Sequence, residues 1–322
     1  MNSNPIIIVC GEPNSIFSEL LVKSFKRYRS KKPIILIGSY NLICLQLKKM
    51  KLKVRLNQIE LENDFLKNVN LDKINIININ YNFKKVFEPI SLKSNKYINE
   101  CFNKAFNIIK KNKISGFING PISKKFFLKN KFPGITEFIA SKFKIKKHYA
   151  MLIFNKNLSV CPITTHLPLN KVSKKITKKD IIIKSLIINK FYKVNFSFKP
   201  KIAITGLNPH CENFFNISEE KKIIEPAIKI LKKRKINVFG PYPADTVFLK
   251  QNMKKFNVII GMYHDQVLTP IKTLYGFNAI NITLGLPFLR ISPDHGPNNE
   301  MIGKNKSDPQ SLIDALRFLN RN

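Results

Sequence analysis

Short runs of isoleucine and valine, each followed by a longer amphipathic stretch, constrain this chain more than any other feature. The apolar runs predict strands at Pro5–Cys10, Pro33–Gly38, Ile74–Ile79, Gly116–Ile118, Tyr149–Ile153, Val160–Thr164, Lys201–Thr205, Val258–Gly261 and Ala279–Thr283. The stretches between them predict helices at Ser15–Tyr28, Asn41–Lys51, Asn95–Lys113, Glu137–Phe143, Lys178–Tyr192, Ser218–Arg234 and Ser307–Leu319. Strands alternating with helices at this spacing form βαβ units around a largely parallel sheet. The expected class is therefore α/β. With 322 residues, the chain can hold two such domains or one large one.

Charge is the second constraint. A formal net charge of +36 invites a nucleic-acid reading, since a dense basic surface binds phosphate by counterion release. The lysines, however, are spread along the chain at Lys48–Lys53, Lys110–Lys113, Lys124–Lys147 and Lys221–Lys235. No zinc finger, RNP aromatic motif or GXXG clamp accompanies them. Lysine, asparagine, isoleucine and phenylalanine are abundant throughout, the mark of a compositional bias. No nucleic-acid partner is expected. An anionic small molecule would be drawn by the same field.

The five cysteines are scattered without a CxxC pair, which fits reduced thiols in a cytoplasmic protein. The run Pro5–Cys10 is too short for a signal-peptide core, and no apolar stretch reaches membrane-spanning length. No GxGxxG follows a strand and no GxxxxGK[ST] occurs, so a nicotinamide cofactor would not be held by the common Rossmann turn.

Three histidines follow predicted strands within turn-rich polar clusters: His166 in TTHLPL, His210 in GLNPH and His264 in YHDQ. Ligands bind beyond the carboxyl ends of strands in α/β proteins. Three neutral imidazoles gathered there would make an open divalent-metal site. A single loop histidine is usually a surface residue; the recurrence is what points to metal. Asp265 beside His264, and Asp245 at the end of the proline-framed GPYPADT loop, are candidate orienters of metal-bound histidines or catalytic acids. Lys272 would serve as a base or electrostatic clamp if desolvated. Asn281 and Arg290 are candidates for a phosphate or carboxylate, the guanidinium matching such groups bidentately. Thr136 reads as the N-cap of a helix whose free N–H groups suit an anion. The turn in NGPISK would present Lys124.

The series GEPNS, NGPISK, GITEF, TTHLPL, GLNPH, GPYPADT, YHDQ, NITLGLPFLR and DHG resembles the 4-hydroxythreonine-4-phosphate dehydrogenases of vitamin B6 biosynthesis over nearly the whole chain. That resemblance implies an isocitrate/isopropylmalate-dehydrogenase-like fold of two α/β/α domains with a cleft. The expected domains are residues 1–125 with 300–322, and residues 126–299. It implies a homodimer whose site lies at the subunit interface, with zinc, magnesium or cobalt held by ligands shared between partners, His166, His210 and the partner subunit's His264. Substrate contacts would be Thr136, Lys272, Asn281 and Arg290. The implied reaction oxidises 4-phosphooxy-L-threonine with NAD or NADP, and the β-keto acid then decarboxylates to 3-amino-2-oxopropyl phosphate.

The chain departs from the family pattern in three places. The family's Gly-His-Thr-Glu carries isoleucine here, Ile135, which can neither donate a hydrogen bond nor carry charge. The first loop, Gly11–Glu19, lacks the later glycines. The glycine-rich stretch after GLNPH reads Cys211–Asn216, which is expected to deny the backbone positive φ. Ile135 keeps a second substrate class open, phosphorylated hydroxy acids such as threonate or erythronate phosphate. A decayed enzyme acting as a basic nucleic-acid binder is the remaining reading, and the intact histidines argue against it.

Overall fold

The computed structural model describes every residue except 1–3, 63–64, 129–130, 212–217, 277, 294–295 and 322. The motif residues Asp294 and His295, and Glu212–Asn216 of the altered stretch, lie outside the described residues. The chain divides into two compact units, residues 1–135 with 288–322, and residues 136–287. The expected boundaries after residue 125 and before residue 300 both fall inside the first unit.

In chain order the first unit contributes β1 (Ile6–Val9), α1 (Phe17–Arg27), β2 (Ile34–Gly38), α2 (Tyr40–Lys49), β3 (Leu56–Gln58), β4 (Ile74–Asn78), α3 (Ser94–Lys111) and β5 (Gly116–Asn119). The second holds α4 (Ile135–Lys142, opening at the boundary), β6 (Ala150–Phe154), β7 (Ser159–Pro162), α5 (Val172–Lys175), α6 (Lys178–Phe196), β8 (Ile202–Thr205) and α7 (Glu225–Lys233). It continues with β9 (Val238–Tyr242), α8 (Ala244–Val247), α9 (Lys250–Met253), β10 (Val258–Gly261), α10 (His264–Tyr275) and β11 (Ile280–Leu284). The chain then returns to the first unit with β12 (Arg290–Pro293) and α11 (Gln310–Leu319).

Within the first unit the strands are ordered β3-β4-β2-β1-β5-β12, and every described pairing is parallel. Strands covered on both faces read as continuous apolar runs, and Ile6, Ile7, Ile8 and Val9 are all fully buried. Beyond β1 and β5 two loops meet backbone to backbone. Gly120 donates its N–H to Val9 (2.7 Å) and Glu12 donates to Pro121 (2.8 Å). Gly11 takes φ +74°, and a Cβ on Gly120 would collide with the Cys10 carbonyl. Side chains close the glycine-poor first loop. Ser15 Oγ donates to the Glu12 carbonyl at 2.7 Å, and Ser94 Oγ to the Glu12 carboxylate at 2.8 Å.

The second unit is ordered β11-β6-β7-β10-β8-β9. Its sheet is parallel except for β6, which runs against both β11 and β7. A short turn explains the reversal: Asn155 Oδ1 accepts from Asn157 N at 2.9 Å, an Asx turn that folds β6 straight back onto β7.

Several elements differ from expectation. β9 carries Gly240-Pro241, expected to be loop, and is tolerated because it is the outermost strand of its unit's order. β3 and β12 are short and partly polar, which hid them. Helix α10 has no counterpart among the expected helices, its YHDQ start reading as a turn, and Pro270 lies inside it. A proline there costs about 3 kcal/mol. Val267, Leu268 and Ile271 of the same helix are buried in the unit's core, each contributing about 1.5–3 kcal/mol. Burial wins.

Gly120→Ala is expected to destabilise the chain by about 1–3 kcal/mol, because its neighbour is backbone that cannot step aside. Urea denaturation would measure it; an unchanged midpoint would contradict the close approach.

Candidate functional site

Strand β10 lies between β7 and β8 and is parallel to both, with Gly261 opposite Pro162 and Ile260 opposite Ile204. Parallel neighbours finish on the same edge of a sheet, so the segments following them emerge together. Those segments are the ones that carry His166, His210 and His264.

The rings of His166 and His264 lie 5.7 Å apart, centroid to centroid, at an interplanar angle of 38°. His264 Nδ1 meets Asp265 Oδ1 at 2.6 Å, which leaves Nε2 of that ring for a ligand. Asp265 is exposed. His264 is the first residue of α10 rather than a loop residue. Two imidazoles on one zinc, with bonds of about 2.0–2.1 Å, place their ring centres about 5–6 Å apart. The separation of this pair is of that size.

His210 is presented differently. It lies in a one-turn 3-10 segment, Pro209–Cys211, and is solvent-exposed at φ +56°. Cys211 follows at φ +57°, so this backbone enters the left-handed region without glycine, against expectation at that position. Buried Glu220 pins the turn. Its carboxylate accepts from Leu207 N (2.8 Å), Asn208 N (2.9 Å) and Asn208 Nδ2 (2.8 Å). Burial pulls the Glu220 carboxyl upward, but the bonds from Asn208 and Leu207 outweigh it and leave it below its ordinary value. Among the described residues, no group of three His, Cys, Asp or Glu side chains is gathered closely enough to hold a metal. One chain brings His166 and His264 together and leaves His210 apart.

The remaining sequence candidates fall in several environments. Asp245 is exposed in α8 and not in a rigid loop. It stands near the His210 turn, where it adds to the upward shift of the Cys211 thiol that burial begins. Lys272 is exposed on α10, so it is not the desolvated lysine expected. Thr136 is buried as the second residue of α4, inside the helix and not at its N-cap, and its Oγ1 lies 3.4 Å from Thr283 Oγ1. Asn281 lies within β11, opposite Ile153. Its Oδ1 is buried without a hydrogen-bond partner, which costs about 1–3 kcal/mol unless a ligand supplies a donor. Arg290 opens β12 in the first unit and is wholly buried, with Nε donating to Asn119 Oδ1 at 2.9 Å. Lys124 is exposed at the start of a short π-helical turn.

Two supporting residues escaped the sequence reading. Lys184 Nζ donates to the carbonyls of Pro162 (3.0 Å) and Ile163 (2.6 Å), bracing the strand end that leads to His166. Burial lowers its amine, with Cys161, Asp180 and Glu137 opposing. Glu220 is the other. Neither sits in a recognisable motif.

The family model for the pyridoxal phosphate biosynthetic protein PdxA matches residues 29–319. The chain belongs to this family. A 4-hydroxythreonine-4-phosphate dehydrogenase of Sulfurihydrogenibium sp. (strain YO3AOP1) is 37% identical over 318 residues, 97% of this chain and 96% of that protein. A solved 4-hydroxythreonine-4-phosphate dehydrogenase from Klebsiella pneumoniae superposes with TM-score 0.83 at 25% identity, covering 98% of each chain. A terephthalate 1,2-cis-dihydrodiol dehydrogenase from Burkholderia xenovorans LB400 shares the fold, with TM-score 0.66 at 18% identity over 99% of this chain and 98% of that one. The chain thus has the isocitrate/isopropylmalate-dehydrogenase-like fold. Among the described residues, no helix is long and apolar enough to cross a membrane.

Because the Glu220 carboxyl is lowered on folding, its stabilisation is present above the ordinary carboxylate value and is lost as pH falls through the folded one. Glu220→Gln is expected to cost about 1–3 kcal/mol at neutral pH, with the gap to wild type closing in acid. Urea midpoints at pH values on both sides would show it; a gap that widens in acid would reverse the sign.

Proposed function

We propose that this PdxA-family chain oxidises the secondary alcohol of 4-phosphooxy-L-threonine with NAD or NADP, acting in pyridoxal phosphate biosynthesis. The β-keto acid formed then loses carbon dioxide to give 3-amino-2-oxopropyl phosphate. Family membership supports the reaction, and the His166–His264 pair is the observation that carries its chemistry. We take the active form to be a cytoplasmic homodimer, with His210 of a second copy completing the ligand set that one chain leaves short. When bound, a divalent cation (zinc, magnesium or cobalt) supplies Lewis acidity at the alcohol and the nicotinamide accepts hydride.

The chain's own residues bind, orient and move protons. Asp265 holds the His264 ring in one tautomer, with Nδ1 toward the carboxylate. Asn281 Oδ1 is a buried acceptor suited to a substrate N–H or O–H. Thr136, Lys272 and Arg290 supply a hydroxyl and two cations for the phosphate and carboxylate. Lys272 is the residue able to take the alcohol proton once substrate and partner cover it, and Asp245 is a carboxylate near the His210 turn. Holding the reacting carbon in one pose contributes through lost translational freedom already met on binding.

Ile135 favours a second reading with the same residues. An apolar, half-buried side chain precedes Thr136 where the family pattern has histidine. This fits a substrate without the amino group, such as threonate or erythronate phosphate.

Purified protein with cobalt, 4-phosphooxy-L-threonine and NAD is expected to form NADH, and His264→Ala to abolish it. Well-folded, metal-loaded protein that turns over none of the three phosphates would sink the activity. Ile135→His is expected to raise kcat/KM for the amino acid substrate about tenfold, the worth of one hydrogen bond to a charged group. A higher kcat/KM of the wild type for threonate or erythronate phosphate would favour the second reading.

A further inference from the structure

Building on the metal reading above, we propose that Gln266 is a positioning residue that keeps the three histidine-bearing strand ends in register. Gln266 sits in the first turn of α10, two residues after His264, and is only 8% exposed. Its Oε1 accepts from Met262 N at 2.6 Å and from Thr205 Oγ1 at 2.9 Å, while Nε2 donates to the Gly206 carbonyl at 2.9 Å. A backbone donor on one side and a backbone acceptor on the other admit only one orientation of the amide.

Those partners are the roots of the histidine segments. Thr205 and Gly206 begin the turn that leads to His210. Met262 begins the turn that leads to His264. The Met262 carbonyl in turn accepts from Thr164 N at 3.1 Å and Thr164 Oγ1 at 2.8 Å, two residues before His166. One side-chain amide, with Met262 whose N–H it holds, therefore joins all three roots. The regular pairing of β8 with β10 ends at Ile204 and Ile260, and Gln266 carries the connection past that point. Gly261 leaves the space for it: a Cβ there would stand 3.0 Å from Gln266 Oε1 and collide with Val267.

Metal ligands must hold their distances within about 0.2 Å, so slack between the β7 and β10 ends would reach the cation held by His166 and His264, and slack at the β8 end would displace the His210 offered to the second copy's cation. The role is to set position, since the amide touches no ligand atom.

Cobalt(II) titration of the full-length chain, read by calorimetry and by visible d–d absorption, tests this. Gln266→Met keeps the length of the side chain and removes its hydrogen bonds. It is expected to weaken cobalt binding about tenfold or more and to alter the absorption band. Val267→Ala, the fully buried next residue of the same helix, removes packing without those bonds. It is expected to lower Tm and leave cobalt affinity and spectrum unchanged. Wild-type affinity and spectrum in Gln266→Met would overturn the proposal, as would an equal loss in Val267→Ala. If Gln266→Met does not fold, Thr205→Val decides. Removing that single bond is expected to weaken cobalt binding about two- to tenfold, and no change would overturn the proposal. A folded wild type that takes up no cobalt would sink the underlying metal reading, an outcome distinct from all of these.

Discussion

Parallel pairing of β10 with β7 on one side and β8 on the other sets where every candidate ligand can stand. Strand ends in such a ladder are fixed to within the pitch of a hydrogen bond, and a loop of a few residues has little freedom to wander from its root. His166 and His264 meet because the first lies four positions beyond Pro162 and the second three beyond Gly261. His210 follows a longer turn, and buried polar groups rather than ladder bonds hold it. The rigid sheet does the coarse placement, and Gln266, Glu220, Lys184 and Thr164 do the fine placement. Such partners are costly to leave unpaired once buried, so the network resists partial opening.

The fold was legible wherever burial on both faces of a strand produced unbroken apolar runs. Nine strands were expected near their observed positions. β9 and β12 were hidden by Pro241 and by Arg290 and Pro293, residues that argue against strands when read one at a time. α10 was hidden by Pro270 and by a polar opening turn, although Val267, Leu268 and Ile271 carry its buried face. Local propensity pointed one way there and tertiary packing the other. Parallel direction was legible from the alternation of elements; the reversal of β6 depended on one asparagine turn.

The site was legible as residue types at strand ends, and much less as environments. Burial of Arg290, exposure of Lys272 and the helical setting of Thr136 depend on neighbours far away in sequence. Gln266 lies inside a motif read for its histidine and aspartate, and nothing local distinguishes a bridging amide from a solvated one. Glu220 lies ten residues beyond His210, where no spacing links them. The positive φ at Cys211 shows that glycine makes a left-handed position easier without being required for it.

The division of the first unit into residues 1–135 and 288–322 has a consequence for how the chain comes off the ribosome. Strand β5 can pair with β1 early, but its other neighbour, β12, and helix α11 do not yet exist. At about 5–20 residues per second, the 152 residues from 136 to 287 take roughly 8–30 s to synthesise. Throughout that interval one side of β5, an apolar strand, stands unpaired, the condition under which strands find wrong partners. The intervening unit can finish its own fold meanwhile. The strand order of the first unit cannot be completed until β12 has been made, and β5 stays exposed on that side for as long as translation of the insert lasts.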